Sequence, residues 1–500
     1  MDAVVLANYA TEHAPFAIRC LKRGLHVYSE ALPCQTMKEA VELIEAVEET
    51  EKIYAYGENY CYTPAAKEMR KLFMENQLGE FEYGEGEYMY NREEEWHSLT
   101  YGDPNHWRNN MYAHYDCTHS IGPMIHISRM RPISVVGFEM PFNERMKKMG
   151  AKAGHTAMEI ITLENGAVIK SIHGVGCSCN SVWFSAYGSE GRVESAREDT
   201  SAGGVEKVYL YPTRDNPYKR PTDYMPKDKD AFTAQFFGHQ GSDFYAMYNF
   251  IEKVKGNPEA EIIDIYEAMD MFLPGMLGYR SVLKGNVSVP VPNFRNREER
   301  EMYRNETACT DPKVAGDMLI PSYSKGNPDI SDAVYQYWKG RYEEERNHRN
   351  QLMLIFFPKE QFPIGLPEGF EITKYKGTIE EQDEWVEICK NGLLSPDDTR
   401  KAFRRRILEW WGVDPFEDVF FIEHEGKKVA TITAADRVWD GFGYIHMVAV
   451  RPEYRGLGLG NCLNRIAMNK LARHKCKIGY LTTSENRKPA CKSYLRAGCY

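Results

Sequence analysis

The sequence predicts a mixed α/β and α+β protein: a short parallel α/β layer, an α+β region built on an antiparallel sheet, and a second α/β domain at the C-terminus. Three observations carry this. Short apolar runs alternate with helical patterns over the first 60 residues, which argues for a parallel sheet. Period-two runs between turn signals fill about Ile133 to Leu210, which argues for antiparallel strands. Near the C-terminus the strand-like run Tyr444–Val450 leads through Arg455-Gly456-Leu457-Gly458-Leu459-Gly460 into a helical pattern from Asn461 to His474.

In order, Asp2–Ala7 is a buried-type strand, His13–Arg23 a helix stopped by Gly24, and Leu25–Tyr28 a second strand. Thr36-Met37-Lys38-Glu39 is a capping box. Behind it Met37, Ala40, Val41, Ile44 and Val47 mark one helical face, and Ile53–Tyr56 is the next strand. Thr156–Leu163 and Ala167–Ile172 alternate around the turn Glu164-Asn165-Gly166, and helices are expected at Asp243–Lys255 and Ile265–Leu283. Residues 293–367 are rich in charge, Asn and Pro, with one helical stretch near Asp332–Arg346, and read as a linker. The last section gives strands at Val419–Glu423, Val429–Ala434, Gly443–Val450 and Ile478–Thr483, then a turn and a helix from Asn486. The expected domains are therefore 1–125, 126–292 and 368–500.

Bulk properties narrow the function. Five hundred residues are too many for one core. A net charge of −10 argues against a general nucleic-acid binder, and the run Arg404-Arg405-Arg406 reads as a solvated helix face. No apolar run reaches the ~20 residues of a membrane span, and the N-terminus lacks a signal-peptide pattern. Twelve cysteines show no disulfide rhythm, and Cys177-Ser178-Cys179 reads as strand. A reduced, cytoplasmic protein is expected.

The first half resembles the Gfo/Idh/MocA oxidoreductases. The matching pieces are Asp2–Ala7 with His13, Gly24-Leu25-His26-Val27 with Glu30-Ala31-Leu32-Pro33, Tyr187-Gly188-Ser189-Glu190-Gly191, and Gly241-Ser242-Asp243-Phe244. That family's Rossmann domain opens with a strand, a G-x-G-x-x-G turn, a helix and a strand ending in an acidic residue. This chain starts after them, so an incomplete Rossmann-like domain and weak NAD(P) binding are expected. The family's Glu-Lys-Pro motif is Glu30-Ala31-Leu32-Pro33 here, without the lysine. Lys22 and Lys38 sit in helical patterns and read as surface.

A narrower resemblance is to the NAD-dependent glycosidases related to α-N-acetylgalactosaminidase, through Glu58-Asn59-Tyr60-Cys61-Tyr62 and Thr118-His119-Ser120-Ile121-Gly122-Pro123. It implies His119 and Tyr62 as acid/base groups and Glu30 as a cofactor or substrate contact. The tyrosine that those enzymes place three residues before the histidine is Asp116 here. His119 suits proton transfer because an imidazole titrates near neutrality. His106, His114 and His126 have no recognised metal-ligand spacing, so no metal site is expected.

A glycine-rich turn between strand and helix lets backbone N–H groups approach an anion, and the helix N-terminus adds positive potential. Arg455 to Gly460 resembles the Arg/Gln-x-x-Gly-x-Gly/Ala loop of the GNAT acyltransferases. Asn486, Ala490, Tyr494 and Gly498 match that family's late Asn-x-x-Ala-x-x-x-Tyr-x-x-x-Gly pattern. The resemblance implies acetyl-CoA as cofactor, held along Val448 to Val450 and by Arg455, Gly456, Gly458, Gly460 and Asn486. It implies Tyr494 as the acid for the thiolate. For the base, Glu423, Asp436, Asp440 and His446 are candidates. After Gly498 that family continues into another strand, whereas Cys499-Tyr500 follow here, so an exposed sheet edge is expected.

The leading expectation is a fusion: an acetyl-CoA-dependent N-acetyltransferase joined to a Gfo/Idh/MocA-like half, acting on a small amine, with a sugar or amino sugar as the implied class. One alternative makes the first half an NAD(P)-dependent sugar oxidoreductase or glycosidase using His119 and Tyr62. Another makes it a sugar-binding or dimerising scaffold, homo-oligomeric through its antiparallel sheet.

Overall fold

The structure is a computed structural model that describes residues 2–197, 204–213, 221–227, 229–234, 237–349, 351–359, 363–410, 412–439, 441–484 and 487–499. The chain divides into two compact units, 1–342 and 343–500.

The first unit opens with a three-stranded parallel sheet, β1 (Ala3–Leu6), β2 (His26–Glu30) and β3 (Tyr54–Gly57), paired in that order. Helices His13–Leu21 and Met37–Thr50 connect the strands. The capping box forms. Glu39 N–H donates to Thr36 Oγ1 (3.1 Å), and the Glu39 carboxylate accepts from the backbone N–H groups of Gln35 (2.6 Å) and Thr36. Ala40, Val41 and Ile44 of that helix are wholly buried, as its apolar spacing requires.

A nine-stranded sheet follows, with strands β4 (Phe81–Asn91), β5 (Pro132–Glu139), β6 (Ala157–Leu163), β7 (Val168–Gly174), β8 (Gly176–Gly188), β9 (Gly191–Ser195), β10 (Val208–Pro212), β11 (Thr222–Tyr224) and β12 (Val289–Pro290). Their order is β11-β10-β9-β8-β4-β7-β6-β5-β12, antiparallel except where β4 runs parallel to β7. Helices Thr118–Ser128 and Ile265–Leu283 are buried along most of their length. The first carries His119 at its N-terminal turn.

Residues 293–342, expected as linker, belong to the first unit. Arg300 is only 1% exposed and grips Glu48 with two hydrogen bonds (2.7 and 3.0 Å), and Arg304 pairs with Glu45. Tyr335 donates to the Gly150 carbonyl (2.9 Å) and Trp338 to that of Lys148 (2.6 Å). The charge that suggested a solvated linker is complementary to the acidic face of Met37–Thr50, so it pairs instead of facing water. The boundary falls inside the helix Asp332–Arg349.

The second unit is built on one six-stranded sheet: β13 (Gln351–Phe356), β14 (Phe370–Lys374), β15 (Val419–His424), β16 (Lys427–Trp439), β17 (Phe442–Val450) and β18 (Ile478–Ser484). The order is β13-β18-β17-β16-β15-β14, and only β17 and β18 run parallel. The domain therefore starts earlier than the expected residue 368, and the expected exposed edge of β18 is occupied: β13 pairs with it from Gln351↔Ser484 to Phe356↔Gly479. The apolar run 352–357, set in an otherwise charged stretch, is the local signal for this strand, while its partner is not legible from neighbouring residues. Helix Leu459–Arg473 buries Leu459, Leu463, Ala467 and Leu471 in the same core as Ile432 and Ile445. A final helix spans Lys488–Arg496.

Candidate active sites

In the second unit the parallel ladder of β17 and β18 stops at Ile445↔Leu481. Beyond that pair the strands diverge, so among the described residues the side of 446–450 facing β18 has no strand partner and its backbone polar groups are available to a ligand. Met447 bulges there with φ +53°. It sets Val448 and Val450 against one core and itself, with Ala449, against the other.

The divergence opens into a cleft with an empty volume of about 1790 Å³. Val448, Val450, Arg455, Gly456, Gly458, Gly460 and Tyr494 all line it, so the structure brings these predicted residues together. Asn486 lies outside the described residues.

Gly458 caps the helix Leu459–Arg473 with φ +82°, and Gly456 has φ +84°. A side chain at either position would be strained in this left-handed backbone, while glycine adopts it freely. The first N–H groups of that helix lack helical carbonyl partners and open toward the cleft, a seat for an anion. Arg455 donates to the carbonyls of Val450 (3.2 Å) and Asn391 (2.9 Å), which fixes the loop's entrance. These features fit acetyl-CoA: a helix N-terminus for the diphosphate and unpaired strand backbone for the amide-bearing arm. Burial pushes the Tyr494 hydroxyl up to about 12, so it stays protonated at neutral pH.

The base candidates separate by their partners. Glu423 is tied to Lys428 (2.9 Å), and Asp436 to Lys470 (3.0 Å) and His474. Asp440 lies outside the described residues. His446 occupies the first position past the last β17–β18 pair and is stacked on Trp410 at 5.2 Å. Its Nε2 is buried with no partner, and burial lowers its pKa to about 4, which leaves the imidazole neutral.

In the first unit the C-terminal ends of β2 and β3 deliver Glu30 and Glu58. Glu58 is wholly buried, and its Oε1 lies 2.8 Å from His119 Nδ1. Its Oε2 has no partner. Burial works against the His119 imidazolium, but Glu58, with Asp116 and Glu30, outweighs it and raises the pKa to about 9. Burial, then the Asp243 carboxylate, raises Glu30 to about 7. Tyr60 and Tyr88 flank the His119 ring at 5.2 and 4.6 Å. Asp243 is held by His239 (2.9 Å) and Asn59 (3.0 Å).

Glu30 and His119 are thus brought into one electrostatic cluster, but Tyr62 is not placed against the histidine. The Tyr62 hydroxyl points to the Glu261 carbonyl (3.4 Å), and burial keeps it protonated. Tyr60, two positions earlier on the same short helical turn, faces His119 instead. Sequence reading missed Glu58 and Tyr60 as site residues, although both stand in the quoted Glu58–Tyr62 stretch. The signal was there: a carboxylate directly after a buried strand sits where open α/β sheets bind ligands.

The three other histidines disperse. His126 bonds Glu267 (2.7 Å), His106 packs on Tyr9, and His114 lies 3.8 Å from Glu159. The turns after β1 (Ala7–Tyr9) and β2 (Ala31–Gln35) contain no glycine. His13 fills the space between them by bonding Leu32 O (2.7 Å) and Asn8 O (3.1 Å). These turns do not fit a dinucleotide's diphosphate, and no step below runs through one.

Comparison with known proteins matches both units. Residues 381–499 match the family model "Acetyltransferase (GNAT) family", and residues 134–299 match "Glycosyl hydrolase 109, C-terminal domain". A glycosyl hydrolase family 109 protein of Parabacteroides distasonis is 22% identical over 337 residues, covering 59% of this chain and 71% of its own. An alpha-N-acetylgalactosaminidase of Bacteroides fragilis is 21% identical over 342 residues, covering 62% and 78%. Among solved structures, an inositol dehydrogenase homolog of Azotobacter vinelandii complexed with NAD+ aligns with a TM-score of 0.48 at 16% identity, over 58% of this chain and 78% of that one. The chain therefore joins, in one polypeptide, a unit similar to glycosyl hydrolase family 109 proteins to a domain that matches the GNAT acetyltransferase family.

Proposed function

We propose that the second unit is an acetyl-CoA-dependent N-acetyltransferase acting on a small primary amine. The observation that carries this reading is the meeting, in one cleft, of the divergent β17–β18 backbone, the Gly456–Gly460 helix start and the Tyr494 hydroxyl. Acetyl-CoA would supply an acetyl group already activated as a thioester. The chain's part is to hold that donor along residues 446–450 and at the helix N-terminus. Of the base candidates, His446, which stands at the start of the 446–450 donor stretch and makes no ion pair among the described residues, is the one assigned the amine's proton; its low pKa makes it a weak base until acceptor binding brings a charge beside it. Tyr494, kept protonated by burial, donates to the departing sulfur. Trp410 and Tyr444 stack beside His446, Tyr480 packs on Tyr444, and this aromatic group suits an acceptor with an apolar face, such as an amino sugar.

Calorimetry with acetyl-CoA, followed by thiol release against a panel of amino sugars and alkylamines, tests the reading. Absence of acetyl-CoA binding by the intact chain would overturn it, as would thiol release that His446→Gln leaves unchanged.

A second reading concerns the first unit, favoured by the Glu58–His119 pair with Glu30 at the strand ends. There an oriented imidazole and a carboxyl of raised pKa form an acid–base site for a carbohydrate. Saturation-transfer NMR with N-acetylgalactosamine, on the intact chain and on His119→Ala, tests it. Equal transfer in both proteins would count against it.

A further inference from the structure

The ladder between β18 and β17 runs only from Ile478 to Leu481, and past it one side-chain contact joins them, Tyr444 Oη to Thr482 Oγ1 (3.3 Å). The last three residues of β18 have left that ladder, and their ladder partner is β13: Met353↔Thr482, Leu352↔Thr483 and Gln351↔Ser484. Of those residues, Thr483 lines the cleft. They also carry the helix that presents Tyr494: Arg487 N–H donates to the Ser484 carbonyl (3.0 Å), and Cys491 Sγ reaches the same oxygen (3.7 Å).

β13 is fastened by its inward side chains. Leu354 and Phe356 are buried in the core shared with Leu481. The Phe356 ring lies in the hollow left by Gly479, where even a single added carbon would sit 2.2 Å from the ring. The matched GNAT region starts at residue 381, so this strand lies outside it.

We propose that Gln351–Phe356 is a positioning strand for the donor cleft: seated through Phe356 on Gly479, it holds Thr482–Ser484 away from β17 and thereby sets both the slot width and the place of Tyr494. The proposal rests on the N-acetyltransferase reading. Among the described residues Thr482–Ser484 have β13 as their one ladder partner; their other ties are the Tyr444–Thr482 hydroxyl contact (3.3 Å) and the bonds of Arg487 and Cys491 to the Ser484 carbonyl. Loosening β13 therefore disturbs ligand geometry before it disturbs the rest of the sheet.

The test uses the full chain. Phe356→Leu opens a gap over Gly479, Gly479→Ala crowds the ring, and the double variant restores the fit. Each single change is expected to weaken acetyl-CoA binding about tenfold in calorimetry, and the double variant to recover most of it. In a third protein, Met353→Cys with Thr482→Cys, a disulfide identified by peptide mass should form and leave the affinity at the wild-type value.

Single variants that melt earlier yet bind acetyl-CoA like wild type would overturn the positioning role, because stability alone would then have changed. A folded cysteine pair that fails to cross-link would overturn the pairing itself. If the wild-type chain binds no acetyl-CoA, the N-acetyltransferase reading falls, an outcome separable from both of these.

Discussion

Glu58 Oε1 lies 2.8 Å from His119 Nδ1, and the carboxylate is wholly buried while the imidazole is 17% exposed. The pair comes from distant parts of the chain, the turn after β3 and the first turn of helix Thr118–Ser128. Glu58 orients the ring and holds its proton, leaving the opposite ring edge for chemistry.

Glu58→Gln is expected to drop the His119 pKa from about 9 to below 6.5, since burial then acts with its strongest counter-charge removed. Proton-detected histidine titration reads this. Because the folded pKa lies above the unfolded value of 6.5, the pair's stabilisation is complete below pH 6.5 and disappears as pH rises through 9. The variant should therefore lose about 3 kcal/mol at pH 6 in denaturant unfolding and approach wild type above pH 10. A deficit that did not depend on pH would contradict this account.

Gly458→Asp places a carboxylate at the helix start and a side chain at φ +82°. Acetyl-CoA affinity should fall by about 100-fold or more, since charge repulsion adds to a misshapen loop. Gly458→Ala, which carries only the backbone strain of about 1–2 kcal/mol, should weaken binding less. Calorimetry that ranks the two variants the other way would show that charge is not the deciding factor.

Tyr494→Phe should lower kcat about 10- to 100-fold while acetyl-CoA affinity stays within about twofold of wild type. Since burial raises the hydroxyl to about 12, the wild-type rate should show no loss of this acid up to pH 10. An alkaline limb near pH 8 that vanished in the variant would assign Tyr494 a lower pKa and a different role.

Arg300→Ala should cost the first unit about 3–5 kcal/mol, the usual penalty for leaving one partner of a buried ion pair alone. Arg300 is 1% exposed and makes two hydrogen bonds to Glu48. The reading that residues 293–367 form a linker predicts almost no change, so a single melting curve decides between the two.

Much of the scaffold was legible because its signals are local. The capping Thr36, the hairpin at Glu164–Gly166 and the helix Ile265–Leu283 each follow from residues within one or two turns of one another. The glycine turn that lines the cleft was legible for the same reason: strand, turn and helix are contiguous from Tyr444 to Arg473. The base was not, because four candidates looked alike until the ion pairs of Glu423 and Asp436 removed two of them.

By itself the sequence determined the two cofactor-scale features that depend on neighbouring residues: the anion seat at Gly456–Gly460 and the strand-end position of Glu30. Tertiary structure alone decided what depends on segments far apart in the chain. It set Glu58 rather than Tyr62 against His119, bound Arg300 to Glu48, and laid β13 along β18. The physical reason is range. Backbone conformation and capping are fixed by a few adjacent residues, whereas a buried ion pair or a strand pairing is chosen by shape and charge across sequence separations of 61, 252 or about 130.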